Sequence, residues 1–138
     1  MQFHLFLSCF IMVLLTMSVL VTLFRTRMRD MRSGITDPKY FKTYDLATKI
    51  PKKTKQMERN YTNLLETPMM FYAVIGLVLA LGLAHLHLVI LAYLYVLIRV
   101  THTVVHITGN KLYPRMITFW SSVGVLLLLW VRALLLLA

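Results

Sequence analysis

Hydrophobic and polar positions separate along this chain on a coarse scale. Apolar runs occupy about 3–24, 69–84, 86–108 and 115–138, and polar residues gather over 25–66 and 109–115. About twenty apolar residues in a helix cross the roughly 30 Å of hydrocarbon in a bilayer. The pattern therefore predicts an all-α integral membrane protein, a four-transmembrane-helix bundle with spans at about 3–24, 57–84, 86–108 and 115–138. A basic loop, 25–56, belongs to the same single membrane domain, 1–138. The first run lacks a charged start and a small-residue cleavage site, and Arg25, Arg27, Arg29 and Arg32 follow it as a stop-transfer cluster. It reads as a retained span.

Local signals place the breaks. Asp37-Pro38 and Ile50-Pro51 mark turns in the loop. Its lysines (Lys39, Lys42, Lys49, Lys52, Lys53, Lys55) are expected at the membrane surface, with Tyr40, Phe41 and Tyr44 dipping into the interface. The second helix opens with polar turns (Gln56, Glu58, Arg59, Asn60, Asn63, Glu66) and becomes apolar from Met69. Pro68 inside it frees the carbonyl of Leu64 and predicts a kink or a polar cavity nearby. Gly82 helps to end that helix, Gly109-Asn110 caps the third, and Pro114 opens the fourth. Near its far end, Trp130 anchors and Arg132 snorkels at headgroup level.

Composition sharpens this outline. Of 138 residues, 59% are hydrophobic, too apolar for a soluble domain of this length. The formal charge is +10, but eleven of the fifteen Lys and Arg lie between Arg25 and Arg59. With no aromatic-interleaved groove, that cluster speaks for topology and anionic lipid and against nucleic acid. The positive-inside rule puts the loop in the cytoplasm and both termini on the other side. Cys9 is alone, so it forms no intrachain disulfide and reads as a packed thiol. His85 and His87 share one short turn, too few ligands for a metal site.

Chemistry concentrates where charge enters the apolar runs. Arg99 lies at membrane depth, where an arginine at a helix centre costs at least about 2.5–3.5 kcal/mol unless it meets a partner or lines a cavity. Arg59, Asn63 and Glu66 share one helix face at i, i+4, i+7; Arg99, His102 and His106 share another at i, i+3, i+7. In antiparallel helices these stripes match in depth. The expected pairs are Glu66 with Arg99 at the floor, Asn63 near His102, and Arg59 near His106 at the mouth, with Arg115 closing the rim. An ion pair alone would need no ligand. Three arginines and two histidines around one carboxylate leave a surplus of positive charge, which points to an anionic partner.

These stripes resemble the MAPEG family, the membrane-associated proteins of eicosanoid and glutathione metabolism. The likeness rests on Glu58-Arg59, Asn63, Glu66 and Pro68, then on Arg99, His102 and the turn to Arg115, and it covers the four-span layout. NYTNLLETPMMFY looks most like the short bacterial branch, which implies a bacterial inner membrane. The resemblance implies a homotrimer holding glutathione, as co-substrate, between subunits near the cytoplasmic face. Arg59, Asn63, Glu66, Arg99, His102 and His106 would bind it, and Arg115 would be the catalytic residue that stabilises the thiolate. Departures bear on how glutathione is held. His106 stands where several active enzymes have tyrosine, Leu64 replaces a common aspartate, and Thr62 replaces an arginine of the prostaglandin synthase. The implied function is a membrane glutathione-dependent transferase or peroxidase acting on hydrophobic electrophiles or lipid hydroperoxides. The alternative is a non-catalytic lipid-binding or scaffold protein of the same fold. Four spans without paired broken helices give little sign of a transporter.

Overall fold

The computed structural model describes residues 1–40 and 50–137. Four helices account for nearly all of them: α1 (Gln2–Arg32), α2 (Lys52–Ala80), α3 (Leu86–Ile107) and α4 (Leu112–Leu135). Each is long and apolar enough to cross a membrane. The protein is an integral membrane protein of all-α class.

The ends depart from the hydropathy pattern for local reasons. α1 continues through its arginines to Arg32, because arginine is a good helix former and no breaker occurs before Gly34. Gly34 takes a left-handed φ of 68°, and Ile35 N–H closes back on the Asp30 carbonyl at 3.1 Å. α2 stops at Ala80, short of the expected 84. There Gly82, at φ 72°, lets Leu83 N–H reach the Val78 carbonyl at 2.9 Å. At the end of α3, Asn110 rather than Gly109 adopts the left-handed conformation (φ 44°). α4 starts at Leu112, so Pro114 falls in its first turn, where a missing N–H costs nothing.

The helices pack as a rhombus. α1 and α2 form one extensive contact and α3 and α4 another; α1 also meets α3, and α2 meets α4. α2 and α3 touch more lightly across the short diagonal, while α1 and α4 do not meet among the described residues. The core draws on all four helices: Phe71 stacks on Tyr95 at 4.5 Å, the same cluster holds Leu5, Leu64, Ile75, Leu88 and Ala92, and α4 adds Leu126 and Leu129. Ser8, Thr16 and Thr26 sit on the buried face of α1. Each donates its hydroxyl to a carbonyl one turn back, at 2.6, 3.0 and 2.8 Å, which satisfies it without a partner helix.

At the loop end, polar ties join α1 to α2. Arg27 pairs with Glu58 at 2.8 Å, and Thr54 donates to the buried Asp30 carboxylate. Asp37 turns the chain by accepting Lys39 N–H at 2.8 Å. Tyr40 is buried rather than dipped into the membrane interface. Phe41, Lys42, Tyr44 and Lys49 lie outside the described residues.

Candidate functional site

The site grows from Arg99. Its position on α3 turns the side chain inward, where it is 0% exposed, toward the light α2–α3 diagonal. One Nη donates to both the carbonyl and the side-chain oxygen of Asn63, at 2.8 and 2.7 Å. The polar contact expected near Pro68 thus falls on the carbonyl beside that of Leu64. Arg99 Nε and its other Nη have no partner among the described residues.

The expected Glu66–Arg99 pair does not form; the ion pairs among the described residues are Arg27–Glu58 and Arg29–Asp30. Glu66 is exposed. The reason is angular. Leu64 is on the buried stripe of α2, and Glu66, two residues on, lies roughly 160° round the helix from it. Asn63 lies on the flank between them, the one stripe residue that reaches Arg99. A neutral amide and a backbone oxygen therefore hold the guanidinium, and among the described residues no carboxylate pairs with it.

Two turns along α3 toward the loop end, the diagonal is tied again. Gln56 donates its side-chain amide to the His106 carbonyl. Between these ties, α4 supports the His102 ring. The Thr118 hydroxyl lies 3.0 and 3.1 Å from the Pro114 and Arg115 carbonyls. His102 Nδ1 lies 3.0 Å from the same oxygen, a hydrogen bond that fixes the ring against α4. His102 Nε2 and His106 Nδ1 are buried and lack protein partners among the described residues. At the rim, Asn110 accepts from Arg115 Nη at 2.7 Å, so the left-handed residue that ends α3 also aims the first arginine of α4.

These groups enclose a cleft of about 280 Å³ lined by Arg59, Asn63, His102, His106, Arg115, Met116, Phe119 and Trp120. Five of the seven expected site residues meet there. Arg99 lies behind Asn63, and Glu66 lines an adjoining groove with Lys55, Glu58, Arg59, Thr62 and Asn63. An outer recess of about 300 Å³ shares Arg59, His106 and Arg115 with the cleft and adds Lys52, Lys55, Gln56 and Asn110. Among the described residues, no carboxylate lines the cleft or the recess. Such a wall suits an anion, with oxygen acceptors met by guanidinium and ammonium donors.

Sequence reasoning missed the apolar wall and two supports. Phe119 and Trp120 stand one turn beyond Arg115 and Met116, so the i, i+4 rule from Arg115 was a signal for them. Gln56 is three residues before Arg59 and extends the polar stripe by one turn. Thr118 carried no signal.

A family model agrees with this arrangement over nearly the whole chain: MAPEG matches residues 5–135. The chain belongs to the MAPEG family. Neither a curated protein nor a solved structure matches it significantly. As a MAPEG protein it belongs among membrane proteins of eicosanoid and glutathione metabolism, which are generally glutathione-associated and generally trimers. Its four helices fit the MAPEG four-helix bundle.

Proposed function

We propose that this MAPEG protein is a membrane glutathione-dependent transferase or peroxidase acting on hydrophobic electrophiles or lipid hydroperoxides. One observation carries the reading: Arg59, Arg115, His102 and His106 share a cleft whose opposite wall is apolar and which no carboxylate lines among the described residues. Glutathione is anionic at neutral pH, and its nucleophilic form is the thiolate. A guanidinium within a few ångströms of sulfur lowers the thiol pKa and raises the thiolate fraction. Arg115 fills that role at the rim; Arg59, Lys52 and Lys55 meet the carboxylates. Asn63, His102 and His106 supply directional hydrogen bonds. Arg99 keeps Asn63 in place.

Met116, Phe119 and Trp120 form the side from which a hydrophobic second substrate enters; Trp120 is 64% exposed on the face of α4 turned to the bilayer. In transfer, a sulfur–carbon bond forms and the leaving group departs with its electron pair, or an activated double bond takes up a proton. In peroxide reduction, the thiolate attacks oxygen, the O–O bond breaks and the alcohol leaves. A second glutathione then reduces the sulfenic acid, giving glutathione disulfide and water. In a homotrimer with glutathione between subunits, a neighbour would cover the groove that holds Glu66. The basic loop end faces the cytosol of a bacterial inner membrane in this reading, with both termini opposite.

Detergent-purified protein titrated with glutathione is expected to develop thiolate absorbance in the ultraviolet, lost in Arg115→Ala. No binding at millimolar glutathione would remove the proposal. Copurified lipid in the cleft without thiol chemistry would replace it with the non-catalytic lipid-binding reading, which the exposed Trp120 wall also accommodates.

A further inference from the structure

The turn between α3 and α4 carries a side chain that its backbone does not require. Asn110 takes a left-handed φ of 44°, and its N–H closes on the Val105 carbonyl at 3.0 Å. Glycine meets such a φ with less strain than asparagine does. What Asn110 adds over glycine is its carboxamide, and that group reaches forward over the first turn of α4. Its Oδ1 accepts from an Arg115 Nη at 2.7 Å. Asn110 lines the outer recess, whereas Arg115 lines both recess and cleft. One Nη is therefore held on the recess side, and Nε and the other Nη remain for the cleft.

We propose that Asn110 is a positioning residue for the thiolate of bound glutathione, a role that rests on the glutathione reading above and extends it to a residue outside the cleft. Asn110 presets the Arg115 guanidinium, so the free edge meets sulfur without first having to be ordered. The helix fixes the Arg115 backbone, but Arg115 is only half-buried, so its long side chain is fixed by what it bonds. Such a side chain loses rotamer freedom when it settles on one partner, and a bond already made reduces that loss.

A residue that served only to end α3 would behave differently: its loss would loosen the turn whatever stood at 115. The other charged and titratable groups around the sulfur position are Arg59 from α2, with Lys52 and Lys55 further out, and His102 and His106 from α3. Among the described residues the Asn110 side chain bonds Arg115 and none of these, so its influence on sulfur passes through Arg115.

Ultraviolet titration of the thiolate against pH, on the full chain in detergent saturated with glutathione, tests this. Asn110→Gly keeps the left-handed turn and removes only the carboxamide. A guanidinium held beside sulfur less of the time stabilises thiolate less, so the pKa of the bound thiol should rise by about 0.5–1 pH unit. Near neutral pH the thiolate signal should then fall about three- to tenfold. It should return above about pH 9, where a thiol ionises unaided. Affinity at a pH that keeps the bound thiol protonated should stay within about twofold, because Arg59 and the lysines hold the carboxylates. Thr108→Val removes a hydroxyl of the same turn that bonds the Val104 carbonyl, and it should leave the titration unchanged. In an Arg115→Ala background, Asn110→Gly should add nothing. An equal effect in both backgrounds, or the same effect in Thr108→Val, would make Asn110 a helix end only and overturn the proposal. So would an unchanged titration in Asn110→Gly while Arg115→Ala loses its thiolate signal; the glutathione reading would then stand without it. An unchanged titration in Arg115→Ala would overturn both.

Discussion

The two ends of this bundle solve the same packing problem in opposite ways. At the terminal end, the four helices close over an apolar core that includes Leu5, Val78, Leu88 and Leu129. The hollow there, about 140 Å³ between α2 and α4, is lined by apolar side chains such as Val74, Leu77 and Ala133, with Trp130. At the loop end, the same helices bring Arg99, His102, His106 and Asn63 together, and several buried polar atoms lack protein partners among the described residues. The terminal end shows that the chain can seal itself with apolar side chains. A membrane bundle that needed only to fold would continue that solution along its whole length. Polar groups left unmatched in a low-dielectric interior are unfavourable, so the loop end is arranged for something that arrives.

Substitutions can break that contrast. The largest effect on stability belongs to the apolar half. Phe71→Ala, which removes the ring stacked on Tyr95, should destabilise by about 3–5 kcal/mol in detergent unfolding. Glutathione affinity of the folded fraction should change little. An equal collapse of binding would mean that the halves are not separable.

Next comes Arg115→Ala. Arg115 is half-buried, and among the described residues its side chain bonds only Asn110, so thermal stability should hold. Turnover with glutathione should fall about a hundredfold, the scale of losing one donor to developing negative charge. Steady-state kinetics beside a melting curve separates the two readouts. Arg99→Met sharpens the contrast further, because the buried guanidinium has no carboxylate partner among the described residues. Stability should stay level or rise by about 1–4 kcal/mol, while glutathione affinity weakens as Asn63 loses its anchor. A loss of 3–5 kcal/mol would reveal a buried counter-charge.

Glu66→Gln should have the smallest effect on the isolated chain, within about 0.5 kcal/mol, since Glu66 is exposed and does not hold Arg99. Subunit association measured on the same variant reports whether a neighbour covers it.

Much of this organisation was legible before any coordinates. Run length and the arginine and proline punctuation located four helices, because hydrocarbon thickness dictates one and backbone chemistry the other. Periodicity placed Arg59, Asn63, His102, His106 and Arg115 at one end, and they share the cleft. It failed at Glu66. An i, i+4, i+7 stripe shows which residues share a face, while the rotation of that face relative to the bundle axis depends on neighbours the pattern does not name. The stripe on α2 is turned toward its flank, so Asn63 meets Arg99 and Glu66 looks outward. Phe119 and Trp120 were hidden for another reason: an aromatic lining a cleft and one facing lipid look alike in an apolar run.

The most direct test is a structure of the protein with glutathione bound. The account predicts the tripeptide in the cleft between α2, α3 and α4, its sulfur beside Arg115 and its carboxylates toward Arg59 and the lysines of the outer recess. A thiol lodged away from Arg115, or an apolar lipid tail filling the polar cleft while glutathione binds nowhere, would contradict it.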